Sequence, residues 1–221
     1  MQWNSPITEL TTAGTDAVLG LVCLFLIAGM KGFRARHPWK VGLWSWIFGL
    51  LAAASFLGTI THGLDLSPAL RKLLWQPLYL ALGIDVSLFV LCGILDWRGE
   101  RAVRRLLPGA IATGIVFYAL TVTLGGSFLV FVLYEAMAMI TAMAIYVAIA
   151  VRQRMPGAST IAVGIGLSIV AAALQASTIR FTLVWTFDHN SVFHLVQIAA
   201  LLVLGSGLRR SLSGDGFAKS V

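Results

Sequence analysis

The sequence predicts an all-α polytopic membrane protein, a bundle of seven transmembrane helices with its N-terminus outside and its C-terminus in the cytoplasm. Hydrophobic residues make up 58% of the 221 residues and charged residues only 11%, whereas roughly 25% of a soluble domain is charged. Seven apolar segments each approach the roughly 20 residues that a spanning helix requires. The net charge of +7 comes from short basic loops, a pattern that indicates membrane orientation rather than nucleic-acid binding.

Turn-forming and polar residues separate the seven predicted spans. Span one follows a polar N-terminus, span two follows His37-Pro38, and span three follows Ser67-Pro68. Gly125-Gly126 separates spans four and five, Pro156-Gly157 precedes span six, and a polar run at 188–190 precedes span seven. The predicted spans cover residues 13–30, 41–61, 73–95, 106–124, 128–151, 159–184 and 191–208.

The same pattern predicts the domain organisation. We expect residues 1–12 to form an outer N-terminal segment, residues 13–208 one transmembrane domain, and residues 209–221 a cytoplasmic tail. The N-terminus lacks the basic stretch of a secretory signal, so the first span is expected to be a retained helix. Both cysteines, Cys23 and Cys92, lie within spans and are expected to be small packing residues.

The distribution of Lys and Arg predicts the orientation, because cytoplasmic loops carry an excess of these residues. Of the 16 basic residues, only Arg71, Lys72 and Arg180 fall on the predicted outer side. This bias predicts a multi-pass protein of a bacterial inner (plasma) membrane. The other basic residues lie on the predicted cytoplasmic side: Lys31, Arg34, Arg36, Lys40, Arg98, Arg101, Arg104, Arg105, Arg152, Arg154, Arg209, Arg210 and Lys219.

Polar side chains within the spans concentrate at the predicted outer end. Such groups are costly in hydrocarbon and are seldom kept there without a partner or a function. Asp85 is the exception in depth, since it lies near the middle of span three. The outer group contains Asp16, His62, Glu135, Gln175, Arg180, Asp188, His189, Asn190 and His194.

These residue types are suited to binding zinc. A catalytic zinc ion takes three protein ligands, commonly His and carboxylate, together with a water molecule. His62, Asp85 and either His189 or His194 supply such donors from spans two, three and seven. Asp188 or Asn190 could instead be only the N-cap of span seven, but a cap does not explain His194 one turn further along.

The order of these motifs resembles the seven-helix superfamily of alkaline ceramidases and of progestin and adipoQ receptors, as a divergent bacterial-type member. That family binds zinc through a His ending the second helix, an Asp in the third, and a His-x-x-x-His pair on the seventh. The counterparts here are His62, Asp85 within Gly-Ile-Asp-Val-Ser, and His194, with either His189 or Asn190 as the other residue. The family also has a Ser four residues before the first His, where this chain has Gly58.

The resemblance implies zinc-dependent hydrolysis of an amide or ester in a membrane lipid that enters from the outer leaflet. It implies that His62, Asp85 and His194 bind the metal, with His189 as an additional candidate ligand. Glu135 or Asp188 would transfer protons. The residues implied to contact the substrate are Arg180, which would bind an anionic headgroup, together with Gln175, Asn190 and Asp16.

Three other functions fit the same polar residues. A seven-helix sensor or receptor would use the cluster to bind a ligand or protons, since histidines titrate near neutral pH. A proton-coupled transporter would use Asp85 and Glu135, and a haem protein would use His62 and His194 as axial ligands. Retinal binding is disfavoured because every Lys lies in a loop or in the tail.

Overall fold

The computed structural model describes residues 3–4, 6–124 and 128–214. Within this part of the chain, seven helices are long and apolar enough to cross a membrane, which confirms the predicted all-α seven-helix bundle of a multi-pass membrane protein. A 3₁₀ turn, Lys31–Phe33, follows the first helix, and a π-helical turn, Ile149–Gln153, follows the fifth. The helices are α1 (Ile7–Met30), α2 (Pro38–Gly63), α3 (Pro68–Arg98), α4 (Glu100–Thr123), α5 (Phe128–Ala148), α6 (Ala158–Gln175) and α7 (His189–Ser213).

Two predictions concern residues outside the described part of the chain. They are the turn at Gly125-Gly126 and the end of the cytoplasmic tail, which includes Lys219. The predicted tail also began too early, because α7 continues to Ser213. The end of the bundle where α1 and α7 begin and α2 ends is called the outer end, after its predicted orientation.

The first helix is longer than its hydropathy predicts. It begins at Ile7 rather than at residue 13, after Pro6 at the N-cap position and with Glu9 in its first turn. An acidic side chain there is favourable because it lies near the positive end of the helix dipole. The additional turns carry Thr11, whose Oγ1 donates to the carbonyl oxygen of Thr186 at 2.9 Å. Residues 7–12 are therefore part of the bundle rather than a separate outer segment.

The predicted sixth span is wrong at its outer end. α6 stops at Gln175, and the chain then forms a two-stranded antiparallel hairpin, β1 (Phe181–Thr182) and β2 (Thr186–Phe187). The segment from 178 to 187 is apolar, so hydropathy extends the helix through it. However, it is rich in Thr, Val, Ile and aromatic residues, which favour strands over helices.

The third and fourth helices are joined by one residue and pack closely. Gly99, with φ +80°, connects them in a conformation that residues with a Cβ rarely adopt. Further along, Gly83 and Gly114 bring the two backbones into contact. A Cβ added to Gly114 would lie 2.7 Å from the carbonyl oxygen of Gly83 and from the Cα of Ile84. Small residues at helix crossings of this kind are common in membranes.

The main hydrophobic core fills the inner half of the bundle. Trp44 is fully buried there, with its ring centroid 5.4 Å from that of Phe89 and 5.5 Å from that of Phe48. Tyr146 and Leu208 belong to the same cluster. The helices are less completely filled toward the outer end, and the polar side chains lie in that region.

Candidate functional site

A cavity of about 640 Å³ lies between the helices toward the outer end of the bundle. Its walls come from α1, α2, α3, α5, α6 and α7. It brings together eight of the ten site residues that the sequence predicted. These eight are Asp16, His62, Asp85, Glu135, Gln175, His189, Asn190 and His194.

The closest polar contact in this group joins α1 to α7. Nε2 of His194 lies 3.2 Å from Oδ1 of Asp16, and both side chains are less than a tenth exposed. Nδ1 of the same imidazole lies 3.0 Å from Oγ1 of Thr15. A third helix, α2, packs against this pair through Gly58, and a Cβ added to Gly58 would overlap the Asp16 carboxylate. The glycine at this position, where the resembling family has Ser, thus makes room for Asp16.

The hydroxyl of Thr15 links His194 to the backbone of α1. Its oxygen lies 3.0 Å from the carbonyl oxygen of Thr11 and 2.9 Å from that of Thr12. If the hydroxyl donates to either carbonyl, it accepts from Nδ1–H of His194; if it donates to Nδ1, that ring nitrogen carries no proton. The tautomer of His194 is thus coupled to the orientation of this hydroxyl group.

His62 forms a second carboxylate–imidazole pair. Its Nδ1 lies 2.8 Å from Oε2 of Glu9 on the first turn of α1. The ring also packs edge-on against Trp75, with centroids 5.7 Å apart. Glu9 was missed because hydropathy placed it outside the bundle. The acidic first turn before an apolar run was the available signal for Glu9.

Asp85 and Glu135 face the cavity from α3 and α5. Asp85 is 7% exposed, and its Oδ1 atom has no hydrogen-bond partner among the described residues. Neighbouring Tyr134 donates to the carbonyl oxygen of Gly83 at 3.0 Å, which fixes the junction of α3 and α5.

The two remaining predicted residues do not line the cavity. Arg180 was expected on the last turn of span six, but it is exposed in the segment between α6 and β1. Asp188 is the N-cap of α7: its Oδ1 accepts from the backbone N–H of Ser191 at 3.0 Å and from Thr12 Oγ1 at 3.2 Å. A cap was one of the roles that the sequence offered for Asp188, and it is confirmed.

The environment of Asp188 favours its ionised form. Burial raises the pKa of this carboxyl group, but hydrogen bonds from Ser191 and Thr12 and the nearby His189 outweigh that effect and hold the pKa below its usual value. His189 is the first residue of α7 rather than part of the preceding loop. The neighbouring Asn190 lies across from α6, with its Oδ1 3.5 Å from Nε2 of Gln175.

The arrangement does not by itself form the predicted three-ligand zinc site. Among the described residues, no three His, Cys, Asp or Glu side chains are grouped closely enough to hold a metal ion. Nε2 of His194 faces Asp16, whereas Asp85 contributes from a different helix, α3. His62 has a carboxylate on one ring nitrogen, as zinc-binding histidines often do. The zinc site therefore stays a prediction.

A buried polar network closes the inner end of the bundle. Nζ of Lys40 lies 2.6 Å from Oδ1 of Asp96 and 2.6 Å from Oγ of Ser211. The hydroxyl of Tyr146 donates to Oδ2 of Asp96 at 3.0 Å. These contacts tie together α2, α3, α5 and α7. Sequence reasoning missed them because it counted Lys40 only as a loop residue that reports orientation.

Comparison with known proteins identifies a family but no function. The chain belongs to DUF6962, a family of unknown function, whose family model matches residues 11–213. No curated protein and no solved structure matches the chain. The match includes every predicted site residue, from Asp16 to His194, while Glu9 precedes it.

Proposed function

We propose that this protein binds a small molecule in the cavity at its outer end, as a seven-helix receptor or transporter. The observation that supports this proposal is the cavity itself, about 640 Å³ in volume and lined by eight predicted site residues. Small-molecule sites are typically clefts of roughly 300–1,000 Å³ with mostly apolar walls and a few converging polar groups. The cavity has this composition, because Phe48, Leu51, Phe89 and Leu201 are also among its lining residues.

The interior below the cavity supports access from the outer end. Trp44 and Cys92 are fully buried, and the Lys40–Asp96 pair follows them toward the inner end, with side chains 11% and 6% exposed. A molecule in the cavity is thus separated from the inner side by packed core. A receptor has this arrangement, and so does a transporter in its outward-facing conformation.

Ligand-induced stabilisation tests the proposal. A molecule that binds only the folded protein raises the free energy of unfolding by mass action. We would measure the thermal unfolding midpoint of the detergent-purified protein with a panel of cationic, neutral and anionic amphiphiles. The variant Ser55→Trp fills the cavity, whereas Leu21→Trp places the same side chain on an exposed, lipid-facing position.

The proposal predicts that at least one compound raises the midpoint of the wild type and of Leu21→Trp but not that of Ser55→Trp. A panel that stabilises none of the three proteins, or all three equally, would contradict it. The comparison depends on both Trp variants being folded, which their unfolding transitions without ligand report directly.

A zinc-dependent hydrolase of a lipid amide or ester is the second candidate. The Glu9–His62 pair favours it, because zinc-binding histidines usually donate their other ring N–H to a carboxylate or carbonyl. The resemblance to alkaline ceramidases points the same way. For a zinc ion to bind, candidate ligands such as His62, Asp85 and His194 would have to move closer together than they lie in this structure.

Metal analysis separates the two candidates. The hydrolase requires about one zinc per purified chain, lost in the His62→Ala, His194→Ala double variant and kept in His37→Ala, at the other end of α2. Protein that holds no zinc after the metal is supplied would remove the second candidate and leave the first intact.

A further inference from the structure

We infer that the ligand of the outer cavity is a cation, an organic amine with an apolar or aromatic body. This inference rests on the proposed function, since it names the chemical class that the same cavity would accept. It depends on the charges that face the cavity, on one buried oxygen without a partner, and on the composition of the walls.

The ionisable side chains of the cavity are carboxyl groups, imidazoles and the phenol of Tyr79. Three carboxyl groups line it, those of Asp16, Asp85 and Glu135. No Lys or Arg among the described residues does so. Arg180, which the sequence predicted to bind an anionic headgroup, is exposed beyond the end of α6. A bound anion would therefore meet no Lys or Arg side chain in the described lining, whereas a cation would meet three carboxyl groups that can act as counter-ions.

Asp85 is the carboxyl group most in need of a partner. It is 7% exposed, it lines the cavity, and its Oδ1 has no hydrogen-bond partner in the part of the chain that the structure describes. Asp16, in contrast, already faces His194 at 3.2 Å. A buried oxygen without a partner is costly, and a charge-assisted bond from an ammonium group would satisfy it. Glu135, on the opposite helix, would reinforce the attraction.

The walls favour an organic cation over an inorganic one. A calcium ion takes six to eight oxygen ligands, and magnesium also requires a full oxygen shell, which the mostly apolar lining does not supply. Five aromatic residues line the cavity, and aromatic rings attract ammonium groups through their faces. Trp75 and Tyr79 stack together at the outer end, with centroids 5.6 Å apart. The aromatic lining residues are Phe48, Trp75, Tyr79, Phe89 and Phe193.

A series of three compounds with one carbon skeleton tests the charge preference. The compounds are 4-phenylbutylamine, 4-phenylbutanol and 4-phenylbutyrate, which are cationic, neutral and anionic at neutral pH. Binding to the full-length protein in detergent is measured by calorimetry, with the cavity-filling Ser55→Trp protein as a blank. We expect the amine to bind at least about tenfold more tightly than the alcohol, a difference of about 1.4 kcal/mol, and the carboxylate to bind most weakly.

Variants of the acids identify the counter-ion. Asp85→Asn keeps the shape of the side chain and removes its charge, so it should weaken binding of the amine by about tenfold while leaving the alcohol unchanged. Asp65→Asn, an exposed acid outside the cavity, is the matched control and should change neither. Glu135→Gln provides a second test, with the same expected selectivity for the amine, if Asp85→Asn does not fold.

The outcomes separate this inference from the function on which it rests. Tighter binding of the alcohol or the carboxylate would overturn the cation preference and leave a ligand-binding cavity in place. Equal weakening of amine and alcohol by Asp85→Asn would also overturn it, since that result indicates a change of shape. No binding by any of the three compounds would count against both proposals.

Discussion

Nε2 of His194 lies 3.2 Å from Oδ1 of Asp16, so an imidazole on α7 and a carboxyl group on α1 form a buried pair at the edge of the cavity. The Asp16 carboxyl group is packed tightly on the side that faces α2. Gly58 on α2 lies against the same carboxyl group, and a Cβ added there would overlap it. Three helices thus meet at one polar pair, and the size of the residue on α2 decides whether that pair can form.

Substituting Gly58 with Ala should destabilise the protein by about 1–3 kcal/mol, the usual cost of overpacking a buried site. The new methyl group would push the Asp16 carboxyl away from His194. Unfolding in mixed micelles at rising SDS fraction measures the loss. Gly49→Ala is the control on the same helix, because a Cβ at that position meets nothing within 4 Å. It should be neutral or slightly stabilising.

A double variant checks the reason for that loss. In an Asp16→Ala background the obstructing carboxyl group is absent, so Gly58→Ala should cost much less, and the two substitutions should be strongly non-additive. Additive losses would show that Gly58 is needed for some other contact.

Breaking the Lys40–Asp96 pair should cost more. Each side chain is largely buried, and the N–O distance is 2.6 Å. Lys40→Met leaves the Asp96 carboxylate without its counter-ion, and removing one partner of a buried pair typically costs about 3–5 kcal/mol. The same SDS unfolding experiment measures it. Glu100→Gln, which removes an exposed pair with Arg104 at 3.8 Å, should cost no more than about 1 kcal/mol.

Replacing both partners should restore most of the stability. A Lys40→Met, Asp96→Leu protein has no buried charge left unpaired, and apolar replacements of buried pairs are often neutral. If the double variant is as unstable as Lys40→Met alone, the hydrogen bonds of Tyr146 and Ser211 to this pair, rather than its charges, account for the loss.

Asp188 gives the bundle an acid-sensitive contact. Its pKa is held below the usual value by Ser191, Thr12 and His189, in spite of burial. A carboxyl group with a depressed pKa stabilises the folded state above the unfolded-state pKa of about 3.9, and it loses that contribution as the pH falls through the folded value. The difference in unfolding midpoint between the wild type and Asp188→Asn should therefore shrink between pH 6 and pH 3.

A second variant separates the charge of Asp188 from its role as a cap. Asp188→Ala removes the acceptor for the Ser191 backbone N–H and should cost about 0.5–2 kcal/mol even where the charge is lost. Asp188→Asn keeps an acceptor oxygen. A difference between wild type and Asp188→Asn that grows toward low pH would contradict the assigned contacts.

The crossing of α3 and α4 should tolerate no side chain at Gly114. A Cβ there would lie 2.7 Å from backbone atoms of Gly83 and Ile84, which cannot rotate away. Gly114→Ala should thus destabilise the protein by about 1–3 kcal/mol or more in SDS unfolding. Gly109→Ala on the same helix meets nothing within 4 Å and is the control. Equal midpoints for the two variants would mean that the helices can separate at low cost.

Hydropathy predicted the number of helices because each helix that crosses a bilayer needs about 20 mainly apolar residues, and the sequence contains seven such segments. It was less successful at the ends. Four of residues 7–12 are polar, yet the helix extends through them, because Thr11 donates to Thr186 in β2 and Thr12 donates to Asp188, the N-cap of α7. Residues 178–187 are apolar, yet their β-branched and aromatic side chains form a hairpin.

The site was predicted as a group but not as a set of pairs. Depth in the membrane can be counted along each span, so the sequence places seven of the cavity residues toward the outer end and Asp85 deeper, and the cavity contains all eight. Pairing depends on which helices are neighbours and how each is rotated. The sequence therefore offered Asp85 as the partner of the histidines, whereas the acids that contact them, Asp16 and Glu9, both come from α1.

If the outer cavity binds a ligand as proposed, we expect the hairpin between α6 and α7 to shape the route by which the ligand enters. Its tip exposes apolar residues, with Leu183 77%, Val184 84% and Trp185 57% exposed, and Trp prefers the membrane interface. The cavity-lining residues Ala176 and His189 precede and follow the hairpin along the chain. We expect the cavity to open at the depth of the lipid headgroups, so that molecules reach it from the bilayer after partitioning there. Apparent affinity should then follow the lipid–water partition coefficient of a compound, and weak intrinsic binding would be sufficient for a lipophilic one.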